Sequence, residues 1–147
     1  YRVMAEETVN LAIKTRGLPH RPCTTRNLKI HGYRENPDRN NHLYIYGNDQ
    51  DAIRQLQESN PENARKLHPK LDYTVAEVVW AVQKEMACTI DDVLARRVRA
   101  LYMDARASIE MAPTVASIMA KELGKDQTWE EEQIREYSSL AKNYCLS

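Results

Sequence analysis

Residues 73–124, YTVAEVVWAVQKEMACTIDDVLARRVRALYMDARASIEMAPTVASIMAKELG, decide the fold. Thr74 and Glu77 stand three apart ahead of an apolar run, the spacing of a reciprocal helix-capping box. Between Val75 and Val82 only Glu77 is polar, so the helix that opens there is apolar around most of its circumference and belongs between neighbours. Thr89 and Asp92 repeat a shorter capping signal ahead of VLARRVRALYM. Asp104 opens a further helical run closed by Gly124, and Pro113 inside it predicts a kink or a fresh start.

Downstream, Thr128 with Glu131 predicts the cap of a last helix whose buried stripe is Ile134, Tyr137, Leu140, Ala141 and Tyr144. Upstream, Asn48 or Asp49 caps a helix through Glu58, and Asn60 with Pro61 opens a short helix that ends before Pro69. Residues 17–48 carry three prolines and three glycines and read as an irregular linker, within which NLKIHGY and HLYIYG suggest short extended stretches. The chain starts inside an amphipathic helix, stopped by Arg16-Gly17 and Pro19, with no capping residue in front of it. That uncapped start reads as a cut from something longer. The expected architecture is mainly α: a terminal helix over 1–16, a linker over 17–48, and a compact multi-helix domain over 49–147.

Lys and Arg total 21, as do Asp and Glu, so the formal net charge is zero, which argues against a dedicated nucleic-acid partner. No apolar run approaches the ~18–20 residues that span a bilayer. Cys23, Cys88 and Cys145 are an odd, scattered set and read as reduced thiols in a cytosol-like compartment. Cys88 reads as a small buried hydrophobe. His20, His31, His42 and His68 fall in loop-like sequence without metal-ligand spacing, so no metal site is expected. Among Gly17, Gly32, Gly47 and Gly124 there is no glycine-rich phosphate loop.

The charged cluster Asp91-Asp92…Arg96-Arg97-Val98-Arg99 has two readings. On a regular helix the adjacent acids point about 100° apart, so they do not converge as an acid–base pair. Asp92 and Arg96 are spaced for an i,i+4 ion pair. Arg97 falls on the apolar face with Ile90, Val93, Leu94, Val98 and Leu101. One reading makes the arginines a site for a phosphate or carboxylate. The other, favoured on sequence, makes Arg97 an internal strut paired with Glu77, Glu85 or Asp104, since a buried charge requires a partner.

The Y-T-V-x-E-V helix, the A-x-T-x-x-D-x-L-x-R-R segment and the D-A-R-A run that follows closely resemble the C-terminal domain of the FAD-dependent glycerol-3-phosphate dehydrogenases. The final DQTWEEEQIREYSSLAKNY and the initial YRVMAEETVN are similar to that family as well, the latter to the helix that closes its flavin-binding domain. The resemblance implies a parent enzyme that oxidises glycerol 3-phosphate to dihydroxyacetone phosphate and passes electrons through FAD to quinone. It implies a cytoplasmic protein, peripheral at the inner-membrane face. Tyr1 and Arg2 match positions at the margin of the flavin and substrate site, and no catalytic residue falls in this stretch. The N-terminal flavin domain is the implied partner, with a homodimer as a further expectation. The chain by itself is expected to bind no FAD, to be inactive, and to serve structure, dimerisation or docking. The alternative is a freestanding helical interaction module without enzymatic activity, docking through the apolar face of its first helix.

Overall fold

A computed structural model describes residues 1–145. The chain divides into two compact units, Tyr1–Glu35 and the residues from Asn36 on. The linker expected over 17–48 is therefore shared between them.

In the first unit, helix α1 (Arg2–Arg16) ends at Gly17, whose left-handed backbone (φ 62°) closes the last turn. Its first residues have no side-chain cap, and none of its residues is buried. Arg2 pairs with Glu6 at 2.7 Å along the helix. NLKIHGY is not a strand: a 3-10 turn over Thr25–Asn27 takes in its first residue, and a tight turn closes from Ile30 to Tyr33.

The second unit is helical with one small hairpin. A 3-10 segment (His42–Asp49), capped by the Asn41 side chain, runs into α2 (Gln50–Ser59). HLYIYG is thus a helical strap rather than an extended stretch. The helix expected after Asn60 is one 3-10 turn, Pro61–Ala64, capped by Asn60 as expected. The chain then becomes extended as β1 (Lys66–His68) and β2 (Leu71–Thr74), antiparallel, with an irregularity in register between Lys66 and His68. Pro69 and Lys70 make the turn, where a proline without an N–H suits a hairpin better than a helix.

Thr74 ends β2 and caps α3 (Val75–Glu85) through the full capping box with Glu77. Val75 through Val79 and Ala81 are all buried, as a helix apolar on most sides requires. After it, Thr89 and Asp92 exchange backbone-to-side-chain bonds of 3.0 and 3.2 Å. The next turns are not a regular α-helix: Asp92–Arg97 is a π-turn, with the Val98 amide reaching back five residues to the Val93 carbonyl. Arg99 follows in the left-handed region (φ 58°), and the short α4 (Ala100–Met103) comes next.

Helix α5 (Ala105–Leu123) is capped by Asp104 and ended by Gly124, and it runs through Pro113 without a fresh start. Pro113 faces solvent, where water can satisfy the carbonyl its missing N–H would have bound. Helix α6 (Gln127–Lys142) is capped by Asp126, whose side chain accepts from the Trp129 amide, rather than by Thr128. Tyr137 and Ala141 of α6 are buried, whereas Leu140 and, beyond the helix end, Tyr144 are exposed, so the buried stripe is narrower than expected.

The large core gathers α3, the π-turn, α4, α5 and α6 around fully buried Ile90, Leu94, Met111, Val115 and Met119, with Trp129 packed against it. Burial pushes the Tyr137 hydroxyl up to about 12 against the lowering effect of its Ser108 hydrogen bond. A smaller cluster of Leu43, Ile53 and Ala76, with Tyr46, Leu56 and Trp80 against it, fastens the strap and α2 to α3.

Candidate functional site

The strap, β2, the end of α3 and the π-turn border one cleft of about 740 Å³, within the range of small-ligand sites. His42, Tyr46, Tyr73, Glu85, Arg96, Arg97 and Arg99 are among its lining residues.

Glu77 is fully buried at 0% exposure. Its carboxylate accepts from the Thr74 amide (2.8 Å), the Thr74 hydroxyl (3.1 Å), His42 Nε2 (3.1 Å) and the Tyr46 hydroxyl (3.2 Å). Four hydrogen-bond donors are what a carboxyl group out of water needs. The hydrogen bond to Glu77 raises the His42 pKa above its usual value, against the lowering effect of burial. Burial raises the Tyr46 pKa, reinforced by the Glu77 charge, so the phenol stays a donor.

The Arg97 guanidinium donates to the Glu85 backbone carbonyl at 2.5 Å and lies 3.5 Å from the Asp92 carboxylate and 3.9 Å from that of Glu85. Arg97 is half-buried and joins the end of α3 to the π-turn. Arg96, on the outer edge, pairs with Asp91 at 2.6 Å and Asp92 at 2.5 Å. Burial tends to raise the Asp92 carboxyl, but the Cys88 and Thr89 amides and Arg96 outweigh it and hold it below the usual range. Burial raises Glu85, with Arg97 opposing. Among the described residues Arg99 has no ion pair.

Of the charged residues singled out in the sequence, Asp92, Arg96, Arg97 and Glu85 therefore come together. Glu77 does not join them; it is held by His42, Tyr46 and Thr74. Asp104 caps α5 through the Ala107 amide at 2.9 Å and lies 3.8 Å from Lys70. Tyr1 and Arg2 lie in the first unit, where Arg2 is tied to Glu6. Cys88 is exposed rather than buried, because it sits between the end of α3 and the π-turn. His42 and His68 are not loop residues: His68 is buried on β1, with its Nε2 2.8 Å from Glu110. Sequence reasoning missed His42 and Tyr46 as partners of Glu77, because no local spacing marks a contact made more than thirty residues away.

Among the described residues no three His, Cys, Asp or Glu side chains gather as a metal site, and no helix is long and apolar enough to cross a membrane.

A capping-box helix buried among α5 and the π-turn, with a cleft lined by arginines at its edge, defines a mainly α-helical domain. Residues 23–133 match the family described as the C-terminal domain of alpha-glycerophosphate oxidase, and the chain belongs to that family. It is 34% identical over 148 residues to a probable mitochondrial glycerol-3-phosphate dehydrogenase of Caenorhabditis elegans, covering 84% of this chain and 20% of that protein. It is 30% identical over 157 residues to the mitochondrial glycerol-3-phosphate dehydrogenase of Macaca fascicularis, covering 91% and 21%. It is also 30% identical over 161 residues to a probable mitochondrial glycerol-3-phosphate dehydrogenase of Dictyostelium discoideum, covering 98% and 24%. The chain thus spans 20% to 24% of the length of these relatives. No solved structure matches.

Proposed function

We propose that this chain is the C-terminal part of an FAD-dependent glycerol-3-phosphate dehydrogenase, which oxidises glycerol 3-phosphate to dihydroxyacetone phosphate and passes electrons through FAD to quinone. The observation that carries the reading is the family match over residues 23–133, which takes in the capping-box helix, the π-turn with its arginines and all of α5.

In this reading residues 1–16 are the closing helix of the flavin domain, with Tyr1 and Arg2 at the margin of its site. Residues 17–48 lead out of it, and 49–147 form a cap. Two features support that division. The family match begins at Cys23, beyond α1. Helix α1 also leaves Val3, Met4, Val9 and Leu11 exposed, as a helix does when its covering surface lies elsewhere.

The chain by itself is expected to bind no flavin. Arg2 is engaged with Glu6, and no glycine-rich turn feeds a helix N-terminus as dinucleotide pyrophosphates require. No step of the reaction is assigned to this chain. The cap's work is to cover the flavin domain, to support a homodimer or to dock a partner. The parent is placed as a peripheral protein at an inner-membrane face, in keeping with the mitochondrial names of the relatives.

The test is to express the whole gene and assay glycerol 3-phosphate-dependent dye reduction. Activity with bound flavin is expected. A flavin-free, inactive product, or a coding sequence that opens near Tyr1, would overturn the proposal in favour of a freestanding interaction module.

A further inference from the structure

The arginine wall of the cleft is more than a scaffold. In a continuous α-helix, side chains at 96, 97 and 99 would fan over about 160° at roughly 100° per residue. The π-turn over Asp92–Arg97 and the left-handed backbone at Arg99 break that geometry, and all three arginines line one cleft. Their roles then separate. Arg97 is spent on the Glu85 carbonyl and on Asp92, and Arg96 on Asp91 and Asp92. Arg99 is exposed and without an ion pair among the described residues. It keeps all five N–H donors in a fork suited to a tetrahedral oxyanion.

The backbone at Arg99 adds a second observation. A non-glycine residue at φ 58° is strained, and glycine or asparagine would sit there more easily. An arginine held in that conformation at the edge of a cleft fits a binding role. Tyr44 and Tyr73, also in the lining, supply phenol groups around the same space. The concavity fits a small ligand, and the chain's zero net charge does not suit a polyanion.

We propose that this cleft binds a small phosphorylated molecule, with the phosphate on Arg99 and the organic part against the tyrosines of the strap and β2. The inference concerns the cleft alone and does not rest on the parent's reaction.

The experiment titrates the 147-residue chain with inorganic phosphate and, separately, with glycerol 3-phosphate, following amide shifts by NMR at fixed ionic strength. The variant is Arg99→Asn, which removes the guanidinium but tolerates the left-handed backbone. Arg26→Asn, in the other unit, is the control. Saturable binding is expected with shifts at Tyr73 and Val98, weakened at least about 10-fold by R99N and unchanged by R26N, as loss of a charge-assisted bond predicts. Tighter binding of glycerol 3-phosphate than of phosphate would identify an organic phosphate as the ligand; equal binding would identify the phosphate group alone. Absence of saturable binding, or equal binding by wild type and R99N, would overturn the proposal. Should R99N fail to fold by circular dichroism, Arg99→Gly gives the same readout.

Discussion

At the scale of single residues, two charged groups do different work in one unit. Glu77 is held out of water by Thr74, His42 and Tyr46, which converge on it. The bond to Glu77 raises the folded-state pKa of His42, so the histidine's contribution to stability is complete below its unfolded value of about 6.5 and is lost as pH rises through the folded value. Urea midpoints of wild type and His42→Gln should therefore differ most in mild acid and converge toward alkaline pH. A difference independent of pH would assign His42 to packing alone. Arg97 is a strut of a milder kind than the sequence suggests: it is 24% exposed on its side chain, and its shortest bond is to a backbone carbonyl. Arg97→Met should cost about 2 kcal/mol, the range of a charge-assisted hydrogen bond, rather than the larger penalty of a stranded buried charge. The midpoint of urea unfolding, at unchanged slope, measures it.

At the scale of elements, what could be read in the sequence depended on how local the cause was. The capping box of α3, the Asp104 and Asn60 caps and the Gly124 stop are decided within four residues, and each lies where the pattern put it. The strap was misread because Leu43, Ile45 and their tyrosines alternate as a strand does. Its backbone is settled instead by Leu43 in the small core and by His42 and Tyr46 on Glu77, more than thirty residues away. The π-turn had no sequence mark, so the arginines were legible as residues but not as the wall of a cleft. Pro113 was overweighted for the same reason. Pro113 itself is exposed, and the packing of α5 against α3 and α6 carries the helix through it. Pro113→Ala should restore the missing helix hydrogen bond and stabilise the chain, by up to about 3 kcal/mol on helix propensity. A thermal melt at or below that of wild type would show that the proline is needed where it stands.

At the scale of the whole molecule, the two units differ in what holds them. The unit from Asn36 on closes around a continuous apolar core in which α5 meets α3, α4, α6 and β1. Met111 is fully buried on α5, and Met111→Ala should cost about 2–5 kcal/mol, read from a shifted denaturation midpoint. Tyr1–Glu35 has no such core; α1 buries none of its residues. That contrast was partly legible: the proline- and glycine-rich composition of 17–48 signalled a change of character. The boundary at Asn36 was not, because His42, Tyr46 and Leu43 join the larger unit through tertiary contacts that composition does not register.

The two core clusters also have an optical consequence. Each holds one of the chain's two tryptophans: Trp80 beside Leu43 and Ile53, and Trp129 against the large core. Fluorescence of a Trp129→Phe variant therefore reports the seating of the strap on α3, and that of a Trp80→Phe variant reports the collapse of the main core. The protein carries a separate intrinsic emitter for each layer of its assembly, and the order in which strap and core come apart can be followed without attaching a dye.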